Sequence, residues 1–146
     1  MTKTGADSLI SAVALAWGKE LRIKSFEDRL VMQKGCFLLN EMGVTPNYSF
    51  SLYIRGPYSS DLADDYYELL RENALSYKTN IDSDLIEKIS EIMSKGVGYL
   101  EAYSTLILAH KYNPRMEMDS LKRFVFEMKP ALRKEIEEAS KSLNFQ

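Results

Sequence analysis

The stretch 48–62 constrains the fold of this chain more than any other part of its sequence. Apolar and polar residues alternate as far as Ile54, and this alternation predicts a short extended segment. Gly56-Pro57 then interrupts the pattern, and Ser59 or its neighbour can cap the helix that follows. The sequence therefore predicts an extended segment, a glycine–proline corner and a helix in immediate succession.

Helical periodicity covers most of the remaining chain, because apolar residues recur at intervals of three and four positions. The stretches with this spacing are 7–17, 25–42, 59–71, 82–95, 99–112, 119–128 and 130–143. With 146 residues, 45% of them hydrophobic, the chain has the length of one domain and enough apolar side chains for a core. We therefore expect a mainly α fold, a single compact helical domain over residues 1–146. It should have about six or seven helices and one short extended segment, or a small β-ribbon, near 48–55.

Several residues make local predictions. Asp7 is placed to cap the first helix, and Ser25 with Asp28 has the form of a capping box for the second. Gly35 lies inside that second helix, where it costs about 1 kcal/mol relative to alanine, so we expect another backbone to pass close by. The helix 99–112 is the most apolar and should run through the middle of the fold. Glu101 within it must lie at an edge or be paired.

Few residues are candidates for catalysis or metal binding, and for each of them a purely structural role is the more common interpretation. Asp61 with Asp65, and Asp64 with Glu68, share a helix face at a spacing that can hold a metal, but solvated acidic faces are more common. His110 has no second histidine and no cysteine at a motif spacing, which favours an imidazole in the core or at an interface. The sequence thus predicts no catalytic residues, no metal and no cofactor.

The one cysteine, Cys36, cannot form an intramolecular disulfide, and this is typical of a reducing cytoplasm. We expect a small buried thiol here. The apolar run 9–17 is short and poorly flanked for a secretion signal, and no run reaches transmembrane length. A cytoplasmic protein without a membrane partner is the expectation.

The corner also collects the side chains that most often dominate protein interfaces. Tyrosine and arginine are enriched among residues with large contributions to binding energy. The candidate partner-binding residues are Tyr53, Arg55, Gly56, Pro57, Tyr58 and Ser59. For the two tyrosines, half-buried packing with a bonded hydroxyl is an equally open interpretation.

Four segments in fixed order resemble a known family. They are Gln33-Lys34 with Phe37-Leu38-Leu39 and Gly43, then Phe50-x-x-Tyr53 with Gly56-Pro57-Tyr58-Ser59, then Leu100-Glu101, and finally Lys129-Pro130 with Ile136-x-x-Ala139. Together they resemble the YwgA-like family of small bacterial and archaeal proteins and, more distantly, the Panacea (SocA-like) antitoxin domain. The resemblance to Panacea implies an antitoxin that neutralises a partner toxin by direct contact. Neither resemblance implies a known reaction.

The sequence leaves three functions open. The first is a non-enzymatic protein-interaction module, antitoxin-like or regulatory, with an unidentified protein partner. The second is a nucleic-acid-binding regulator, since helix, helix, extended stretch and helix is also the order of a winged-helix fold. A formal net charge of −2 disfavours it. Any nucleic-acid surface should use the cations Lys111, Arg115, Lys122, Arg123, Lys129 and Arg133. The third is an enzyme of unrecognised type, using Glu101 with His110 or the aspartates. Self-association as a homodimer is compatible with the composition.

Overall fold

Seven α-helices and one β-hairpin make up residues 2–145, the part of the chain that the computed structural model describes. The helices are α1 (Ala6–Trp17), α2 (Phe26–Glu41), α3 (Ser60–Arg71), α4 (Ser83–Ser94), α5 (Val97–Tyr112), α6 (Met118–Met128) and α7 (Arg133–Ser142). The strands β1 (Ser51–Tyr53) and β2 (Gly56–Tyr58) lie between α2 and α3, and a 3₁₀ turn (Pro130–Leu132) leads into α7. The predicted mainly α fold with a small β-ribbon is confirmed.

Helix α5 lies at the centre of the molecule, as its apolar sequence predicts. It contacts α2, α4, α6, α7 and both strands of the hairpin. One apolar cluster joins α5 to the first four helices, and a second joins it to α6 and α7. Because apolar side chains cover α5 all round, it can contribute to both clusters at once.

The starts of α2 and α3 follow the serine caps in the sequence, whereas the start of α1 does not. The Ser25 hydroxyl accepts a hydrogen bond from the Asp28 amide at 3.1 Å. The Asp28 carboxylate, however, accepts from Trp17 Nε1 and the Arg22 amide, so the predicted capping box is only half formed. Helix α1 begins after Gly5 without a side-chain cap, so the prediction that Asp7 caps it is wrong.

Asp7 instead accepts a hydrogen bond from the Ser76 amide at 2.8 Å and so ties α1 to the segment after α3. Asp7 and Ser76 are 69 positions apart in the sequence. This long-range bond uses the carboxylate that a local helix cap would have used. At Gly35 the predicted close approach exists, but side chains make it. An added Cβ would lie 2.8 Å from Val13 Cγ1 and 3.0 Å from the Met93 methyl. Gly35 is therefore the point where α1 and α4 press onto α2.

The glycine–proline pair belongs to the hairpin and does not end it. The antiparallel register pairs Ser51 with Tyr58, and a two-residue turn at Ile54 and Arg55 joins the strands. Pro57 is tolerated because, within residues 2–145, β2 has a single neighbouring strand and a proline on such an edge interrupts no ladder. Helix α3 starts directly afterwards, where the Ser59 hydroxyl accepts from the Leu62 amide at 3.2 Å. Within residues 2–145, no helix combines the length and apolar character needed to cross a membrane.

Candidate functional site

Helix α2 holds the free edge of β2 through two consecutive buried polar residues. The Gln33 side-chain amide donates to the Ser59 carbonyl at 2.9 Å and accepts from the Ser59 amide at 2.8 Å. Lys34 Nζ donates to the Pro57 carbonyl at 2.8 Å. The two side chains thus satisfy backbone groups that a third strand would otherwise pair, and they fix the hairpin on α2.

The turn of the hairpin is held from the opposite side by a buried ion pair. Lys129 Nζ donates to the carbonyl oxygen of Ile54 and lies 2.7 Å from Glu101 Oε2. Lys129 and Glu101 are both buried. Glu101 is therefore paired, which is one of the two arrangements that its position in an apolar helix predicts.

Gly56 is where the hairpin comes closest to α5. Its φ of 93° lies in the left-handed region, and an added Cβ would lie 2.5 Å from Thr105 Oγ1. Both the backbone conformation and the space therefore require glycine. Together with the bonds from Gln33, Lys34 and Lys129, this contact fixes the position of the hairpin.

Lys34 has the most perturbed basic group at the site. Burial lowers its pKa from 10.5 to about 7, and the nearby cations of Lys129 and Arg55 act in the same direction. The Glu101 carboxylate partly opposes this change by favouring the ammonium form. The Lys34 amine is thus close to half protonated at neutral pH. In either form it keeps an N–H that can donate to Pro57.

A cavity of about 450 Å³ opens between the hairpin, α2 and α3, and we call it the hairpin groove. Its lining is aromatic, aliphatic and basic. The residues are Phe26, Arg29, Leu30, Gln33, Lys34, Tyr53, Ile54, Arg55, Gly56, Tyr58, Tyr66 and Tyr67. No carboxylate belongs to this lining.

Large apolar side chains are left in solvent around the groove. Ile54 is 88% exposed, Tyr53 is 56% exposed and Phe26 is 52% exposed, with Tyr67 also exposed at the α3 side. The Tyr53 ring meets the half-buried Tyr58 ring edge to face at 5.3 Å. Clustered exposure of this kind is typical of surfaces that bind another molecule.

Two guanidinium groups lie over the Phe26 ring at the same place. The Arg55 guanidinium is 5.2 Å from the ring centroid and that of Arg29 is 5.9 Å from it. Arg29 also donates to the Ile23 carbonyl. Neither arginine has a carboxylate within salt-bridge distance among residues 2–145. Their positive charge is therefore left uncompensated at the rim.

The structure divides the six predicted partner-binding residues into two groups. Tyr53 and Arg55 are exposed and Tyr58 is half-buried, so these three can reach a partner. The other three, Gly56, Pro57 and Ser59, are buried and position the hairpin, so their assignment as contact residues is corrected.

Sequence reasoning missed Phe26, Arg29 and Tyr67 as groove residues. A signal for Phe26 exists in α2, where Phe26, Leu30 and Lys34 recur at four-residue spacing, and Arg29 follows Phe26 by three positions on the same side of the helix. This face changes from apolar to polar along the helix, so it does not read as a simple core face. Tyr67 carries no comparable signal.

The predicted basic surface loses members when the chain folds. Lys129 is buried and paired with Glu101, so its assignment to a nucleic-acid surface is wrong. Lys111 pairs with Glu41 at 2.8 Å, and Lys122 pairs with Glu137 at 3.2 Å. The three arginines of that set, Arg115, Arg123 and Arg133, are exposed.

The other candidate groups have structural partners. Asp65 is buried and accepts from the Tyr48 hydroxyl at 2.6 Å, so it does not share the solvated acidic face of α3. Cys36 is the predicted buried thiol, and burial raises its pKa. The His110 ring stacks on the Phe145 ring at 4.0 Å. The described residues contain no group of three or more histidine, cysteine or acidic side chains that could hold a metal.

The four segments behind the family resemblance meet at the hairpin. Gln33 and Lys34 come from α2, Glu101 from α5 and Lys129 from the end of α6, and all four lie beside residues 54–59. Comparison of the chain with models of known families, with curated proteins and with solved structures found no match. The YwgA-like and Panacea assignment stays a prediction.

Proposed function

We propose that this protein is a non-enzymatic interaction module that binds a protein partner at the hairpin groove, in an antitoxin-like or regulatory role. The observation that carries the proposal is the exposure of Ile54, Tyr53 and Phe26 around one groove. Leaving such side chains in water loses the free energy that burial would provide, about 25 cal/mol for each Å² of apolar surface. A partner that covers them recovers it.

The anchoring of the hairpin supports the same proposal. Gln33, Lys34 and Lys129 hold its backbone from inside the protein, while its turn projects into solvent. A loop that is already ordered loses little conformational entropy on binding, so more of the contact energy appears as affinity. The direct-contact mode is also what the resemblance to antitoxin domains implies.

The nucleic-acid alternative has less support. Of its six candidate cations, Lys129 is buried, and Lys111 and Lys122 are paired with carboxylates. Phosphate binding would have to exchange these pairs for contacts with the nucleic acid. Strong, steeply salt-dependent binding to random duplex DNA would favour this alternative over the groove.

The proposal is tested by capture from extracts of the native cells. The bait variant Tyr53→Ser with Ile54→Ser removes the two exposed large apolar side chains of the hairpin without touching its anchors. We expect the wild type to retain a defined partner and the double variant to lose most of it. The matched control is Leu15→Ser, since Leu15 is 51% exposed on α1 and is not part of the groove lining.

Equal recovery of every protein by wild type, double variant and control would contradict the proposal. Thermal unfolding of the double variant within a few degrees of the wild type would show that any loss of binding is local. The exposed positions make that result the expected one, because surface substitutions usually change the free energy of unfolding by no more than about 0.5 kcal/mol.

A further inference from the structure

The charge in the hairpin groove differs from that of the protein as a whole. The chain has a formal net charge of −2, yet the groove lining contains the basic side chains Arg29, Lys34 and Arg55 and no carboxylate. Lys34 is committed to Pro57, so the two arginines supply the charge that a ligand would meet. Oriented local charge of this kind selects partners of opposite sign.

The arrangement of the arginines suits carboxylates. Arg55 stacks over Phe26 and makes no salt bridge among residues 2–145, so its N–H edge is open to solvent. A guanidinium on an aromatic face still presents donors in the plane of the fork, where a carboxylate can bind through two hydrogen bonds. The Arg29 guanidinium lies over the same ring and adds a second positive charge beside it.

The α3 side of the groove borders an acidic region, which determines how a charged ligand would be oriented. Tyr67 borders the groove and also a neighbouring depression lined by Asp64, Glu68 and Glu72, with Arg71 as its one cation. The charged side chains therefore change from basic on the α2 side of the groove to mainly acidic in the depression beyond Tyr67. An acidic group would be attracted at Arg55 and repelled beyond Tyr67, while an apolar group would fit against the tyrosines between them.

The size of the cavity limits what can enter it. About 450 Å³ lies within the range of pockets that hold a small organic group, and it suits one or two side chains of a bound segment. Resting on the proposed function, we infer that the groove binds an acidic peptide segment of the partner, with an aromatic or large aliphatic anchor next to a carboxylate. The carboxylate pairs with Arg55 and Arg29, and the anchor lies against Tyr53 and Tyr58.

The inference is tested by selection of random dodecapeptides displayed on phage, with the full-length protein as the immobilised target. We expect the selected sequences to carry aspartate or glutamate within a few positions of phenylalanine, tryptophan, tyrosine or leucine. With Arg55→Glu as target, the acidic preference should disappear. A synthetic peptide from the wild-type selection should bind this variant at least about tenfold more weakly. Arg123→Glu, an equal charge change at an exposed position outside the groove, should keep the wild-type preference.

The outcomes separate this inference from the proposed function. Selection of neutral or basic peptides whose binding is lost in the Tyr53→Ser, Ile54→Ser variant would overturn the acidic class and leave the interaction function standing. Selection that does not depend on the groove residues would overturn both. An acidic peptide that binds Arg55→Glu as tightly as the wild type would also overturn the inference.

Discussion

Lys34 shows how a single residue can serve the site at a cost to the fold. It lies buried on α2 and donates to a carbonyl of the hairpin, and its burial disfavours the ammonium form. In the unfolded chain water restores the ordinary pKa of 10.5. Between pH 7 and that value, the unfolded state therefore binds more protons than the folded state.

The stability of the wild type relative to Lys34→Met should consequently depend on pH. Below about pH 7 both states carry the ammonium, so the difference in unfolding free energy is constant and the full burial cost applies. Above pH 7 the amine is neutral in the folded protein. The free energy of unfolding of the wild type should therefore rise by up to about 1.4 kcal/mol per pH unit relative to that of the variant. Urea unfolding of both proteins at pH 6, 7.5 and 9 measures this gain.

The exposed Lys88 provides the control for that measurement. Lys88→Met should differ from the wild type by the same amount at each pH. A difference for Lys34→Met that is equally flat would show that the Lys34 amine keeps its proton in the folded protein at all these pH values.

The hairpin is the element on which the candidate site depends, and Gly56 sets its distance from α5. Gly56→Ala would place a methyl group 2.5 Å from Thr105 Oγ1 in a backbone conformation that already disfavours alanine. We expect a loss of unfolding free energy of about 2 kcal/mol or more, since overpacking adds about 1–3 kcal/mol to the conformational cost. Binding of the partner should weaken with it, because the hairpin must shift.

Gly18→Ala isolates the conformational part of this cost. Gly18 has a φ of 77° at the end of α1, and an added Cβ there would meet no atom within 4 Å. Gly18→Ala should lower the free energy of unfolding, measured with denaturant, by only about 1 kcal/mol and should leave partner binding unchanged. Equal effects at the two glycines would mean that Thr105 moves aside without cost.

At the scale of helices and strands, the sequence predicts where these elements begin better than it predicts which residues they contact. The helix starts at Ser25 and Ser59 are readable because a cap bonds an amide two or three positions away. The burial of Lys34 and Lys129 is not readable in this way. Their carbonyl acceptors lie 23 and 75 positions away along the chain, so the cations look like surface residues until the fold brings the hairpin to them. The groove depends on those long-range bonds, and among its partner-facing side chains the sequence predicts only Tyr53, Arg55 and Tyr58.

Across the whole molecule, the Glu101–Lys129 pair joins the two apolar clusters to the hairpin. Glu101→Gln should therefore lower the free energy of unfolding by about 3–5 kcal/mol, because it leaves the Lys129 ammonium buried without its counter-charge. The combined variant Glu101→Leu, Lys129→Met should recover much of this loss, since it removes both buried charges. Urea unfolding of the three proteins gives the comparison.

The pair between Glu41 and Lys111 is the matched surface case, with similar distance but a half-exposed lysine. Glu41→Gln should cost no more than about 1 kcal/mol. If Glu101→Gln lowers the free energy of unfolding no more than Glu41→Gln does, water must reach Lys129. The anchor of the hairpin turn would then be weaker than its burial indicates.

The side chains that anchor the hairpin and the large apolar side chains exposed at its tip are different residues. Gln33, Lys34 and Lys129 anchor the backbone from within, whereas Ile54 and Tyr53 project outward, and the Tyr53 hydroxyl makes no hydrogen bond within residues 2–145. Mutations at the tip can therefore accumulate at little cost in folding. Under the proposed interaction function, a lineage carrying this scaffold would be free to exchange one binding specificity for another while the architecture beneath it stays the same.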